Sequence, residues 1–175
     1  MATYKDIKKE FFDLSIKEQE QILKEIYNFS KDIKEFLNTR FTNDNEDYHI
    51  EEIESATNYY TYTGIPKILS TRKINSVISK AKKAKVSTEI LEKMEYIAFK
   101  GYFDSLNDFG DGPEIYEDKI YDHLKNYLTL VSKNNSQQKK DTKLNDLKKY
   151  LLENTNMYYD HIWELFEEMT NINLR

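Results

Sequence analysis

The side chains that could do chemistry are few. Three histidines occur, His49, His123 and His161, and there is no cysteine. Glu46-Asp-Tyr-His49 supplies one Glu-x-x-His, the helical spacing with which a di-iron carboxylate bundle holds its metals. Such a centre needs two copies and two further glutamates, but Ile120 and Tyr158 stand three places before the other histidines. Asp160, His161 and Glu164 fall within one helical turn. Trp163 and Phe166 beside them read more simply as a packed C-terminal helix with a polar outer face. Asp108-Phe-Gly-Asp111-Gly112 is calcium-like in composition only, because it lacks oxygens at alternate positions and the closing glutamate. It reads as a turn in which Asp111 caps the next helix and Glu114 and Glu117 suit that helix's positive end. No Gly-x-Ser-x-Gly, P-loop or dinucleotide fingerprint occurs. No catalytic residue, metal or cofactor is therefore expected, and an enzyme is disfavoured. A pocket gathering His123 or His161 with carboxylates would reverse that reading.

Charge is laid out more sharply than chemistry. From Ser55 to Thr88 there is no acid, and those 34 residues hold seven cations: Lys67, Arg72, Lys73, Lys80, Lys82, Lys83 and Lys85. The segment is +7 inside a chain of net charge −5, which leaves −12 for the rest. Lys73, Lys80 and Lys83 recur at i, i+7 and i+10, which puts them on one helix face with Ser76 between them. Tyr59, Tyr60 and Tyr62 precede that helix. Two acidic blocks balance it, one over 41–54 (Asp44, Glu46, Asp47, Glu51, Glu52, Glu54) and one over 101–118 (Asp104, Asp108, Asp111, Glu114, Glu117, Asp118). Lys67, Arg72, Lys73, Lys80 and Lys83 are thus the candidate site, a face for an acidic protein partner or another anion. The alternative is single-stranded nucleic acid, with the tyrosines as stacking surfaces. The plainer alternative is a solvated face that pairs with the chain's own acidic blocks.

The elements that must carry these residues are helices. Ile7, Phe11 and Leu14 recur at helical spacing behind Thr3, which pairs with Asp6 as a capping box. Ser15 to Glu18 repeats the box and opens a second helix, and Ser30 caps a third. A fourth covers about 45–60. Gly64 and Pro66 break the chain before a fifth, over about 71–85, whose stripe is Ile74, Val77, Ile78 and Ala81. Ser87 or Thr88 caps a sixth running to about Leu106. Gly101 inside it costs about 1 kcal/mol unless close packing requires it. The seventh follows Pro113 to about Ser132, and two more lie near 144–154 and 156–170. Lys133 to Thr142 contains no apolar residue and reads as a mobile loop. The tyrosine-rich run 57–63 has β-propensity but no second strand to pair with. The expectation is an all-α fold, a single helical domain over 1–175 with eight or nine short helices in a layered α-α array. Tyr121-Asp-His123 and Tyr159-Asp-His161 recur 38 residues apart, a match too short to make a repeat.

Composition sets the outer bounds. The chain has 175 residues with 39% hydrophobic side chains and only four glycines and two prolines, which suits one helical domain better than a sandwich or barrel. Absence of cysteine excludes disulfides, thiolate metal sites and cysteine nucleophiles, and fits the reducing cytoplasm. No apolar run is long enough to span a membrane, and the mixed charges of the first ten residues do not form a signal peptide. The pI near 5.4 disfavours a globally basic nucleic-acid binder.

Gly64-Ile-Pro-Lys67-Ile-Leu-Ser-Thr-Arg72-Lys73-Ile74, then Phe99-Lys-Gly101-Tyr-Phe103 and Phe109-Gly110-Asp111, resemble a family of small bacterial proteins catalogued as a domain of unknown function. The N-terminal pattern from Tyr4-Lys-Asp-Ile-Lys through Leu14-Ser15 to Phe36-Leu37 is similar to it as well. The resemblance reaches to about Phe166. It implies a helical, cytoplasmic bacterial protein and transfers no catalytic residue. It singles out Lys67, Arg72 and Lys73 as a basic motif. The chain departs from the family pattern over Lys133–Thr142.

Overall fold

The computed structural model describes residues 2–42, 46–110, 112–134, 136–154 and 160–174. Among them are nine α-helices and no strand, so the all-α expectation holds. Contacts fall into two compact units, Met1–Asn45 and Glu46–Arg175.

The first unit holds α1 (Tyr4–Asp13), α2 (Ile16–Phe29) and α3 (Lys31–Thr42). Thr3 and Ser15 cap α1 and α2 with complete capping boxes, using Asp6 and Glu18 at the third helical position. The Gln19 amide closes the turn between them by donating to the carbonyls of Phe11 (3.2 Å) and Leu14 (3.1 Å). Within the unit, Leu23, Tyr27, Leu37 and Phe41 line an apolar groove between α2 and α3.

The second unit holds α4 (Glu46–Thr57), α5 (Thr71–Ala84), α6 (Thr88–Phe109), α7 (Ile115–Asn134), α8 (Gln137–Asn154) and α9 (Asp160–Thr170). α6 and α7 form the central pair. α4 and α5 pack on α6, and α8 and α9 pack on α7. The core sits between these layers. Phe99, Tyr102 and Phe103 of α6 and Ile120, Leu124 and Leu128 of α7 are fully buried. Each such large apolar side chain contributes about 1.5–3 kcal/mol on burial. Gly101 is what lets α4 approach: a Cβ there would lie 2.6 Å from Thr57 Cβ. The close-packing condition attached to Gly101 is therefore met. Gly110, at φ +69°, ends α6 in the left-handed region, with its N–H donating to the Leu106 carbonyl at 2.8 Å.

Two expectations need correction. The tyrosine-rich run forms no strand, as expected, but it does find something to pair with. It folds back on itself, with Thr61 N–H donating to Ile65 O and Lys67 N–H to Tyr59 O (both 2.8 Å), around Gly64 at φ +76°. The segment 133–142, expected as a mobile loop, is helical over its described residues other than Ser136: α7 runs to Asn134 and α8 begins at Gln137. Its Lys and Gln residues are good helix formers that need no apolar partner. Gln137 bonds Asp141 at 2.7 Å and Thr142 bonds the Gln138 carbonyl at 3.0 Å, both one turn apart. Absence of apolar residues marked an exposed helix end rather than a loop.

Candidate functional site

α5 is the element that carries the basic residues, and its sequence dictates how it lies. Ile74, Val77, Ile78 and Ala81 are all buried against α4 and α6. At about 100° per residue the opposite side of the helix must then carry Arg72, Ser76, Ser79 and Lys83, with Lys73 and Lys80 on one flank and Asn75 and Lys82 on the other. The entry to the helix is pinned. The buried Tyr116 hydroxyl of α7 accepts from Leu69 N–H (2.5 Å) and donates to the Leu69 carbonyl (3.2 Å). Ser70 then caps α5, accepting from Lys73 N–H at 3.3 Å. At the other end Lys85 takes the left-handed conformation, φ 58°, and its N–H returns to the carbonyls of Ala81 and Lys82.

Lys67, Arg72, Lys73, Lys80 and Lys83 are all exposed. Lys67, Arg72, Lys73 and Lys83 make no ion pair among the described residues. Lys82, on the flank facing α6, does pair. Its ammonium lies 3.0 Å from Glu95 Oε1. The described acids of the 101–118 block are engaged elsewhere in part: Asp108 accepts from the hydroxyls of Tyr59 (2.9 Å) and Tyr60 (3.3 Å), and Asp104 accepts from Tyr150. Asp44 and Asp111, and with Asp111 its expected cap on α7, lie outside the described residues.

Tyr59 and Tyr60 are committed as well. Their rings meet each other at 4.9 Å and Phe109 at 5.7 and 5.6 Å. Burial, followed by the hydrogen bond and charge of Asp108, holds the Tyr59 hydroxyl well above its ordinary pKa of 10.0. Tyr62 is fully exposed, as are Ile65 and Ile68 in large part. These two isoleucines flank Lys67 in sequence.

A buried polar cluster lies on the other flank of α5, and sequence reasoning did not find it. Glu95 of α6 is almost wholly buried, and its Oε2 lies 2.7 Å from Nδ1 of His123 on α7. The Asn126 amide donates to the same oxygen at 3.4 Å. The His123 ring is stacked parallel to Tyr102, with centroids 5.9 Å apart. Burial raises the Glu95 pKa, but hydrogen bonds and charge from His123 and Lys82 outweigh it and hold the carboxyl below its ordinary range. A histidine thus does join a carboxylate beside a cleft of about 300 Å³. Its Nε2 is sealed from solvent and has no hydrogen-bond partner among the described residues, so it is not placed to exchange a proton with a bound molecule. The one available signal was an acid at an inward position of α6, between Met94 and Ala98.

The other histidines stay apart. His49 is buried in α4, and His161 lies beside Glu117, Asp118 and Asp122 at a polar cleft of α7 and α9. Among the described residues no three His or acidic side chains are grouped to hold a metal ion, and no helix is long and apolar enough to cross a membrane. Comparison with protein-family models, with curated proteins and with solved structures finds no match to this chain.

Proposed function

We propose that the chain is a non-enzymatic interaction module that docks an acidic protein partner on the outer face of α5 and the hairpin before it. Arg72, Lys73, Lys80 and Lys83, with Lys67, meet the partner's carboxylates. Ile65, Ile68 and Tyr62 supply the apolar anchors that give such an interface its affinity.

The observation that carries this reading is the identity of Lys73. It occupies the third position of a helix capped by Ser70, where an acidic side chain would complete a capping box. α1 and α2 of the same chain do place Asp6 and Glu18 there. α5 instead has Arg72 and Lys73 and no acid in its first turn, against the helix dipole. Helix stability does not account for these cations, and no carboxylate among the described residues pairs with them. An external anion does account for them.

Engagement of Tyr59 and Tyr60 with Asp108 favours a protein over single-stranded nucleic acid, which needs open aromatic faces and repels a carboxylate beside them. The test is direct binding of two labelled probes at low salt: a glutamate-rich amphipathic peptide containing leucine, and an oligothymidylate. The reading expects the peptide to bind and the oligonucleotide to bind far more weakly. Tighter binding of the oligonucleotide, with log affinity falling steeply and linearly in log salt, would replace it with the nucleic-acid alternative.

A further inference from the structure

The cleft beside Glu95 lies on the flank of α5 away from Lys73, and nothing in the docking reading uses it. Its α5 wall is Asn75, Ser79 and Lys82, and its α7 wall includes Lys119, Asp122, Lys125 and Asn126. Both acids at this cleft already hold cations of the chain. Glu95 accepts from His123, Lys82 and Asn126, and Asp122 accepts from Lys119 at 2.8 Å. The donors are not fully engaged. The Lys82 ammonium uses one of its three N–H groups on Glu95 and is half exposed. Lys125 pairs with no carboxylate among the described residues and rests over the Tyr121 ring at 5.8 Å. The Asn75 and Ser79 side chains have no hydrogen-bond partner among the described residues.

The network behind Lys82 is built in a particular way. His123, buried and stacked on Tyr102, fixes Glu95, and Glu95 fixes Lys82 at the cleft wall. A buried ionic cluster is a weak source of stability, since apolar side chains of similar size would serve as well or better. What the cluster does provide is an ammonium held in place before any ligand arrives, so less side-chain entropy is lost on binding.

We propose that this cleft binds a small oxyanion, a phosphoryl or carboxylate group on a compact molecule, with Lys82, Lys125, Ser79 and Asn75 as donors. Glu95 and His123 are positioning residues that act through Lys82. The volume suits a ligand at the small end of the usual range. The ligand class follows from the surplus of donors over acceptors at the walls.

The test is titration of the full chain, followed by amide chemical shifts, with inorganic phosphate and separately with succinate. The proposal expects saturable shifts confined to Asn75, Ser79, Lys125 and Asn126 with at least one of the two, and the stronger binder identifies the ligand chemistry. Ser79→Asp, at an exposed helix position, should weaken binding about tenfold or more by placing a carboxylate at the wall. Lys125→Ala should weaken it while leaving the fold intact. Lys73→Glu with Lys83→Glu should leave it unchanged, which separates this site from the docking face. Three results would each overturn the proposal: no saturable shift with either anion, binding unaltered by Ser79→Asp, or an equal loss on changing Lys73 and Lys83.

Discussion

Nδ1 of His123 lies 2.7 Å from Oε2 of Glu95, and both side chains are more than nine-tenths buried. The pair joins α6 to α7 at the point where Lys82 of α5 also reaches Glu95. Its pH dependence has a definite sign. Glu95 has a folded pKa below its ordinary 4.5, so its contribution to stability is complete above that value and is lost as pH falls through the lower folded one. Urea denaturation should show stability falling on acidification from about pH 5 downward. Glu95→Gln should lower stability at neutral pH and flatten that acid limb, while a variant whose acid limb is as steep as the parent's would remove Glu95 from the account.

Gly101→Ala is a sharper case, because two effects oppose. Alanine improves helix propensity by about 1 kcal/mol. The new Cβ would lie 2.6 Å from Thr57 Cβ, which is attached to the α4 backbone and cannot swing away. Overpacking of this kind costs about 1–3 kcal/mol, so net destabilisation is expected, read as a lower urea midpoint. A stabilised Gly101→Ala protein would show that α4 shifts at no cost.

These two sites differ in how far the sequence reveals them. Caps are local, so Thr3, Ser15 and Ser87 each declared a helix start by type and spacing. The stripe of α5 was equally local, and with it a face of Lys73, Lys80 and Lys83 away from the core. Gly101 announced a close approach but not Thr57 as its object, because the partner is 44 positions away. Glu95 was harder still. An acid inside an apolar helix must find partners, yet nothing local names Lys82 and His123, which reach it from two other helices. The stretch 133–142 misled for a different reason: helix propensity without an apolar stripe resembles a loop when only burial patterns are read.

The aromatic cluster offers a spectroscopic prediction. Burial first, then the hydrogen bond and charge of Asp108, keep the Tyr59 phenol protonated well past its ordinary pKa. Asp108→Ala removes the second and third of these and leaves the first. Ultraviolet titration of the tyrosines should then show one phenolate forming at lower pH than in the parent, still above 10.0. An unchanged titration curve would mean that Asp108 is not coupled to Tyr59 in solution.

The docking account turns on cations that work against the helix bearing them. Lys73→Glu would complete a capping box with Ser70, and Arg72→Glu would place an acid in the same first turn. The decisive measurement is therefore the double variant R72E/K73E, compared with the parent for both thermal stability and affinity for the glutamate-rich amphipathic peptide. The account predicts opposite movements: stability unchanged or raised by about 0.5–1 kcal/mol, and peptide affinity reduced about tenfold or more. A variant that melts earlier and binds the peptide as well as the parent would contradict it, because Arg72 and Lys73 would then be serving the fold and not a partner.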